Sequence, residues 1–263
     1  MPYPLLSIND TKNTLQTIVF LTNLEKCLKI LFAANNRLNE INPYDYLYYS
    51  FQAIFESVPK ESSEFMIIQK YINATKKNDK ILSLIRIKKK SELSPRNNFD
   101  NLSNHYLLFH GTKITNLLGI FSNGLNVPNT PFKHLGNTYG CGIYLSDALE
   151  RSCLYTDTKK NYQYILLCEC ALGNIFYKNQ EIDLDKKEFL LNGYDSLKTI
   201  SKKIPDPKHN FICDDGLIIP CGKIIENEDP YQFKRDAPEY IIYKNEQIKL
   251  RYIVQIENGV KNK

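Results

Sequence analysis

The sequence predicts an α+β domain, and three features of it do so. The runs "KILSLIRIKK" (80–89), "QYILLCECAL" (163–172), "EYIIY" (239–243) and "LRYIVQI" (250–256) read as strands spread along the chain. Helical periodicity is confined mainly to 11–41, 63–75 and 113–125 and does not alternate regularly with strands, as a βαβ array requires. The glycine pair of "YGCGIYLSD" (139–147) has Leu145 where a third glycine would stand, and Ile143-Tyr144-Leu145 favours a strand. That excludes the dinucleotide fingerprint of a doubly wound sheet. What remains is a mostly antiparallel sheet with flanking helices, preceded by a small helical piece.

The elements follow in order. Leu15, Ile18, Val19, Thr22, Cys27, Leu28, Leu31 and Phe32 fall near helical spacing behind Asn9 or Asp10 as cap, predicting a helix over 11–41. The polar run "NNRLNEINPYD" ends it, and Pro43 marks a boundary. The chain therefore divides into a helical segment, 1–42, and a main domain, 43–263. From Tyr46 the chain is aromatic and alternating. "PKESSEF" then caps a helix near 63–75 whose buried side is Phe65, Ile68 and Ile72. The strand over 80–89 runs into "IRIKKKSEL" (85–93), read as a strand end entering a solvated loop or as a localisation signal.

"HYLLFHGT" is a short apolar strand ending in His110 and Gly111, and "KITNLLGIFSNGL" (113–125) is a helix stopped by Gly124. "DALERSCLY" starts another helix, with Ser146 or Asp147 as cap and Glu150 in its first turn. In the strand over 163–172, Cys168 and Cys170 point to one face, inward. Residues 178–238 are rich in turns and charge.

Composition bounds the function. A chain of 263 residues buries a sizeable core. A net charge of +5 is mild and demands no polyanionic partner, so direct DNA binding stays open. Seven scattered cysteines without a C-x-x-C pair speak against a zinc site and for a reducing compartment, the nucleus or cytoplasm. No apolar stretch reaches transmembrane length, and "MPYPLLSIND" lacks a signal-peptide pattern, so no membrane association is expected.

The chemistry concentrates in "YGCGIYLSDALERSCLY". Ser152 and Tyr155 are three apart on the expected helix and share a face. With Tyr144 they offer two rings and a hydroxyl to one flat ligand. Stacking adds roughly 0.5–1.5 kcal/mol beyond the area it buries.

Taken together and in order, "LLFHGT" with "NLLGIFSNGL", "YGCGIYLSD" with "RSCLY", "LLCECALGN" and "PEYIIY" resemble the catalytic domain of the poly(ADP-ribose) polymerases, members of the diphtheria-toxin-like ADP-ribosyltransferases. "NPYDYLYYSF", "SSEFMIIQKYINAT", "GYDSLKTISKKIPDP" and "DGLIIPCG" resemble the DNA-damage-responsive branch. The resemblance covers roughly residues 42–256. It implies the ADP-ribosyltransferase fold of split, mostly antiparallel sheets, with NAD+ as substrate and no metal. It also implies a protein acceptor, the enzyme itself included.

The family's His-Tyr-Glu set falls on His110, Tyr144 and Glu239. By the resemblance, His110 bonds a ribose hydroxyl of NAD+, and the backbone of Gly111 pairs with the nicotinamide amide. Tyr144 and Tyr155 sandwich the ring while Ser152 bonds the carboxamide oxygen. Glu239, at a strand mouth, accepts from the ribose 2′-hydroxyl and stabilises the positive charge that grows as the glycosidic bond breaks. Thr112 lies toward the ribose or phosphates, and Asn116 and Gly119 toward the adenosine. Residues 127–138 form the loop covering the donor.

Two positions depart from the family. Asn126 stands where relatives carry arginine, which weakens one adenosine-side contact, and Arg151 stands where they often carry lysine. The helical region ahead of residue 42 has room for one or two helices only. The expectation there is a constitutively accessible site, independent of DNA breaks. Three alternatives stay open: transfer of a single unit rather than a polymer, a non-catalytic NAD or ADP-ribose-binding module, and a nucleic-acid acceptor.

Overall fold

The computed structural model describes residues 42–75, 80–90, 97–128, 139–157, 161–178, 193–228 and 235–257. Upstream it describes only Thr14, Ile18, Glu25, Leu28 and Phe32, each helical and exposed. Most of the helix expected over 11–41 lies outside the described residues, as does 129–138 of the expected donor loop.

The main domain opens with α1 (Pro43–Ser50), where the Asn42 side chain accepts from the Tyr44 N–H and proline occupies the first turn. β1 (Ala53–Ser57), α2 (Ser63–Thr75), β2 (Ile81–Lys89) and the single turn α3 (Asn97–Asp100) lead to β3 (His105–Gly111). A 3-10 turn (Ile114–Asn116) continues into α4 (Leu117–Asn123), which stops at Gly124 with φ +77°, as a glycine C-cap predicts. β4 (Ile143–Leu145), α5 (Leu149–Cys153), β5 (Tyr162–Ala171) and β6 (Ile175–Lys178) follow. The described residues of the turn-rich region hold five short strands that its composition hides: β7 (Ser196–Thr199), β8 (Lys203–Pro205), β9 (Phe211–Ile212), β10 (Ile218–Ile219) and β11 (Ile224–Glu226). β12 (Tyr240–Ile242) and β13 (Ile248–Glu257) close the fold.

The strands form a seven-stranded sheet, in the order β1-β2-β13-β5-β3-β10-β9, a four-stranded sheet, β4-β12-β7-β6, and the pair β11-β8. Pairing is antiparallel except at β10 with β3 and β6 with β7, which is the split, mostly antiparallel arrangement expected. The larger sheet is covered on both faces. On one, Phe65, Ile68, Tyr71 and Ile72 of α2 belong to the same core as Leu107, Phe109, Ile165 and Leu167. On the other lie Leu108, Leu166, Cys168 and Cys170, so the two cysteines do point inward together. Odd positions face one core and even positions the other, which is why "YILLCEC" is apolar almost throughout.

The two larger sheets meet at one backbone bridge. Phe109 of β3 and Ser146, just past β4, exchange hydrogen bonds of 2.8 and 3.0 Å. The cleft opens beyond this bridge, between the end of β3 and the diverging β4.

Two local expectations are corrected. α5 begins at Leu149 and takes no side-chain cap from its N-cap residue. Asp147 is instead buried and accepts from the Tyr240 hydroxyl at 2.8 Å, while Ser146 donates to the Pro238 carbonyl at 2.7 Å. Thr75 of α2 supplies the missing acceptor, taking the Leu149 N–H at 3.0 Å. Nor is the basic run of 85–93 merely a strand end entering solvent. Arg86 bonds Glu56 and Glu64, and Lys89 is buried, donating to the carbonyls of Phe121 and Ser122 at 2.6 and 3.0 Å. Lys89 thus caps the C-terminus of α4.

Candidate active site

The bridge between the sheets fixes the geometry of the cleft. Backbone groups alternate sides along a strand, and Phe109 spends its own on Ser146, away from β5. Gly111, two residues on, aims its N–H and C=O to the same side, past the point where the second sheet has turned away. A Cβ at Gly111 would lie 1.8 Å from the Ser152 carbonyl oxygen, so only glycine allows α5 to sit this close to β3. Ser152 is buried, and its hydroxyl donates to the Phe109 carbonyl at 3.1 Å. In this arrangement its oxygen keeps acceptor capacity only. To donate to a carboxamide oxygen the hydroxyl must turn away from Phe109.

His110 is partly buried at the end of β3, and its Nδ1 lies 2.9 Å from the Tyr144 carbonyl. A carbonyl only accepts, so Nδ1 carries the proton and Nε2 presents a lone pair. Burial pushes the imidazole pKa below its ordinary range, partly countered by that backbone bond, and favours this neutral form.

Tyr144 is central in β4, opposite Ile241 of β12. Its hydroxyl donates to the Gly140 carbonyl at 2.9 Å and accepts from the Tyr139 N–H at 2.9 Å. Burial raises its pKa well above the usual phenol value. With the hydroxyl committed to the turn, the ring itself is what Tyr144 offers a ligand. Tyr155 lies beyond the end of α5, 45% exposed, with the Arg151 guanidinium 5.7 Å from its ring centroid. It turns off the helix through a bond from its N–H to the Ser152 carbonyl, so the expected shared helical face is realised across a helix terminus.

Glu239 immediately precedes β12 and is 3% exposed. Its N–H donates to Thr199 Oγ1 at 2.8 Å and its carbonyl accepts from the Thr199 N–H at 2.9 Å, which locks its backbone against β7. The carboxylate is held from both sides. Arg151 donates to Oε1 from Nε at 2.9 Å and Nη2 at 2.7 Å, and the Tyr155 hydroxyl stands 3.4 Å from the same oxygen. Arg235 reaches Oε2 at 2.8 Å through Nη1. The buried charge is thereby paired, as its burial demands.

Beside His110 and Tyr144 opens a cavity of about 420 Å³, lined among others by Thr112, Asn116, Gly119 and Asn126. Asn116 Nδ2 donates to Thr112 Oγ1 at 3.0 Å, and the Asp157 carboxylate accepts the Ile114 N–H at 2.9 Å, steadying this wall. Asn126 accepts from Asn245 Nδ2 at 3.0 Å, and Asn245 Oδ1 in turn takes the Val127 N–H at 2.7 Å.

The structure thus sets His110 against Tyr144 and Gly111 against Ser152, and Thr112, Asn116, Gly119 and Asn126 line the cavity beside the first pair, while Glu239 lies outside that lining, just ahead of the strand that pairs with β4 and bound to Arg151. Sequence reasoning missed Arg235, Thr199 and Tyr139. Each acts through a pairing between segments far apart in the chain or through a turn geometry that periodicity does not encode. Among the described residues no group of three or more His, Cys, Asp or Glu side chains is placed to hold a metal ion. Nor is any helix there long and apolar enough to cross a membrane.

The model of the poly(ADP-ribose) polymerase catalytic domain, a family of ADP-ribosyltransferases that use NAD+ as substrate, matches residues 62–258. Poly(ADP-ribose) polymerase 2 of Arabidopsis thaliana is 31% identical over 232 residues, 83% of this chain and 36% of that protein. Poly(ADP-ribose) polymerase 2 of Homo sapiens is 30% identical over 227 residues, 82% of this chain and 38% of that protein. Poly(ADP-ribose) polymerase 1 of Gallus gallus is 29% identical over 270 residues, 98% of this chain and 26% of that protein. The chain therefore spans well under half the length of these relatives, and the match runs through the strands and turns that build the cleft. This chain belongs to the poly(ADP-ribose) polymerase catalytic domain family.

Proposed function

We propose that the chain transfers ADP-ribose from NAD+ to protein side chains, itself included, and releases nicotinamide. Residues 43–263 form the catalytic domain in this reading, and 1–42 a helical segment ahead of it. The observation that carries it is the buried carboxylate of Glu239, fixed by Arg151 and Arg235 just ahead of the strand that pairs with β4, which carries the Tyr144 ring beside the neutral imidazole of His110.

The nicotinamide ring lies on Tyr144, with Tyr155 on its other side, and its amide meets the backbone of Gly111 and the Ser152 hydroxyl. The Nε2 lone pair of His110 accepts from a ribose hydroxyl, and the remainder of the donor extends past Thr112, Asn116 and Gly119. When the C1′–N bond breaks, nicotinamide leaves with the electron pair and positive charge gathers on the ribose. Glu239 faces that charge as an ionised carboxylate that needs no reorganisation at the moment of reaction. The acceptor oxygen then forms the new C1′–O bond as its proton passes to the Glu239 carboxylate. Operation in a reducing compartment, the nucleus or the cytoplasm, fits seven cysteines scattered along the sequence without a C-x-x-C pair.

Incubation with labelled NAD+ tests this. The wild-type chain is expected to label itself and release nicotinamide. Glu239→Gln should lose on the order of 10²–10³ in kcat, the scale of deleting one preorganised electrostatic group. Binding of NAD+ without transfer by the wild-type chain would instead establish a binding module. Gel migration of the product separates a polymer ladder from a single-unit shift.

A further inference from the structure

The two guanidinium groups on Glu239 are not equivalent. Arg151 rises from α5 and spends two donors on Oε1. Arg235 lies four residues ahead of Glu239, with its side chain 17% exposed, and takes Oε2 at 2.8 Å. From Nε it also donates to the Tyr139 hydroxyl at 3.1 Å, and its guanidinium stands 5.1 Å from the centroid of that ring. Tyr139 is nearly fully buried, its carbonyl accepts from the Tyr243 hydroxyl at 2.7 Å, and its N–H donates to the Tyr144 hydroxyl. Arg235 therefore spans the carboxylate on one side and the turn that seats the Tyr144 ring on the other.

Pairing alone does not call for this second guanidinium, because Arg151 already neutralises the buried charge. Orientation does. The terminal torsion of a glutamate is broad, so a grip on one oxygen leaves the carboxylate plane loose, whereas a grip on each oxygen sets it. With Oε1 filled by Arg151, the acceptor capacity left for a ribose hydroxyl lies on Oε2, the oxygen that Arg235 holds.

We propose that Arg235 is a positioning residue of the transfer reaction: it sets the plane of the Glu239 carboxylate and ties it to the turn carrying Tyr144. The inference rests on the transfer reading above. Because Arg235 acts through Glu239 and Tyr139 rather than on the donor, its loss should appear in kcat and spare NAD+ affinity.

The test compares kcat for self-labelling with the Kd of NAD+ from calorimetry, in wild type, Arg235→Gln, Arg235→Lys and Tyr139→Phe. Arg235→Gln should lower kcat at least about tenfold while Kd stays within about threefold. Arg235→Lys, which keeps the charge but not the fork, should recover part of the loss. Tyr139→Phe, which removes only the hydroxyl, should fall between wild type and Arg235→Gln. If Arg235→Gln lacks a cooperative melting transition, the lysine and phenylalanine variants decide by the same split. A kcat within about twofold of wild type in Arg235→Gln, or kcat and affinity declining together with no rescue by lysine, overturns the inference alone. Absence of transfer by the wild-type chain overturns the functional reading and takes the inference with it.

Discussion

The surroundings of Glu239, taken as a first end of the site, and the cavity beside His110, its second, are built on different principles. Around Glu239 the polar groups satisfy one another: two arginines and the Tyr155 hydroxyl meet a carboxylate that is 3% exposed, Tyr139 holds one of those arginines, and Thr199 takes the Glu239 backbone N–H. Along the cavity beyond His110 the walls are neutral and short, with Thr112, Asn116, Gly119, Asn123 and Asn126, and no lysine or arginine among the described lining residues. In the proposed reaction the first would face a charge that exists only at the transition state, where preorganisation sets the rate. The second would meet a donor whose diphosphate is charged throughout, and would offer it amides and backbone rather than cations. Substitutions at the first end should therefore move kcat, and substitutions at the second should move KM.

Gly111→Ala tests the first end most severely. The new Cβ would meet a backbone carbonyl of α5, not the flexible tip of a side chain, so the helix or the strand end must shift. That shift carries Ser152 and Arg151 with it, and Arg151 carries its hold on Glu239. Displacements of about 1 Å in such a site cost on the order of a hundredfold in rate, and overpacking costs roughly 1–3 kcal/mol in stability. Steady-state kinetics and thermal melting should show both losses. An active, fully stable alanine variant would mean that α5 is not held against β3 as described.

His110→Gln comes next. Its amide can occupy the site but cannot match the imidazole lone pair fixed by the bond to Tyr144, and kcat should fall about tenfold to a hundredfold with a smaller change in KM. The residue also marks stability. Burial holds its pKa below the ordinary value, so the unfolded chain takes up a proton first, near pH ~6.5. Stability contributed here is complete above that pH and declines as pH falls through the window toward the folded pKa. Melting curves between about pH 7.5 and pH 5 should fall less steeply for His110→Gln than for wild type. Equal slopes would show that the imidazole is not held neutral.

The same contrast explains what the sequence revealed. The long central strands of the large sheet, β2, β13, β5 and β3, were legible, and the clearest run, "YILLCEC", is apolar because both of its faces are buried, whereas the short β9 and β10 of the same sheet were not. The His-Gly pair and the tyrosine strand stood out through the order of the short motifs that carry them, not through composition, since the chain holds 18 tyrosines. Arg235 was not legible. An arginine in a charged, turn-rich stretch looks solvated, and its role depends on β12 entering between β4 and β7. Lys89 misled for the converse reason: a lysine run suggests solvent, yet this lysine caps α4, which contributes Gly119, Ile120 and Asn123 to the cavity wall. The cap of α5 was misplaced because Asp147 and Ser146 answer to Tyr240 and Pro238, partners about ninety positions away in the chain.

The smallest expected effect belongs to the neutral end. Asn126 lines the cavity rim, and Asn245 holds its Oδ1. Asn126→Arg gives up two exposed amide bonds, to Asn245 and to the Gly124 carbonyl, each worth about 0.5–1.5 kcal/mol at most, and places a guanidinium where a diphosphate has no described cation. Charge-assisted bonds to an exposed phosphate more than offset that loss, so KM for NAD+ should fall several-fold while kcat stays within about twofold. The gain should shrink as ionic strength rises from about 0.05 to 0.5 M, because the new attraction is screened. An unchanged KM would place the diphosphate away from this rim. A changed kcat would deny that the two ends act independently, and the division drawn between them would no longer hold.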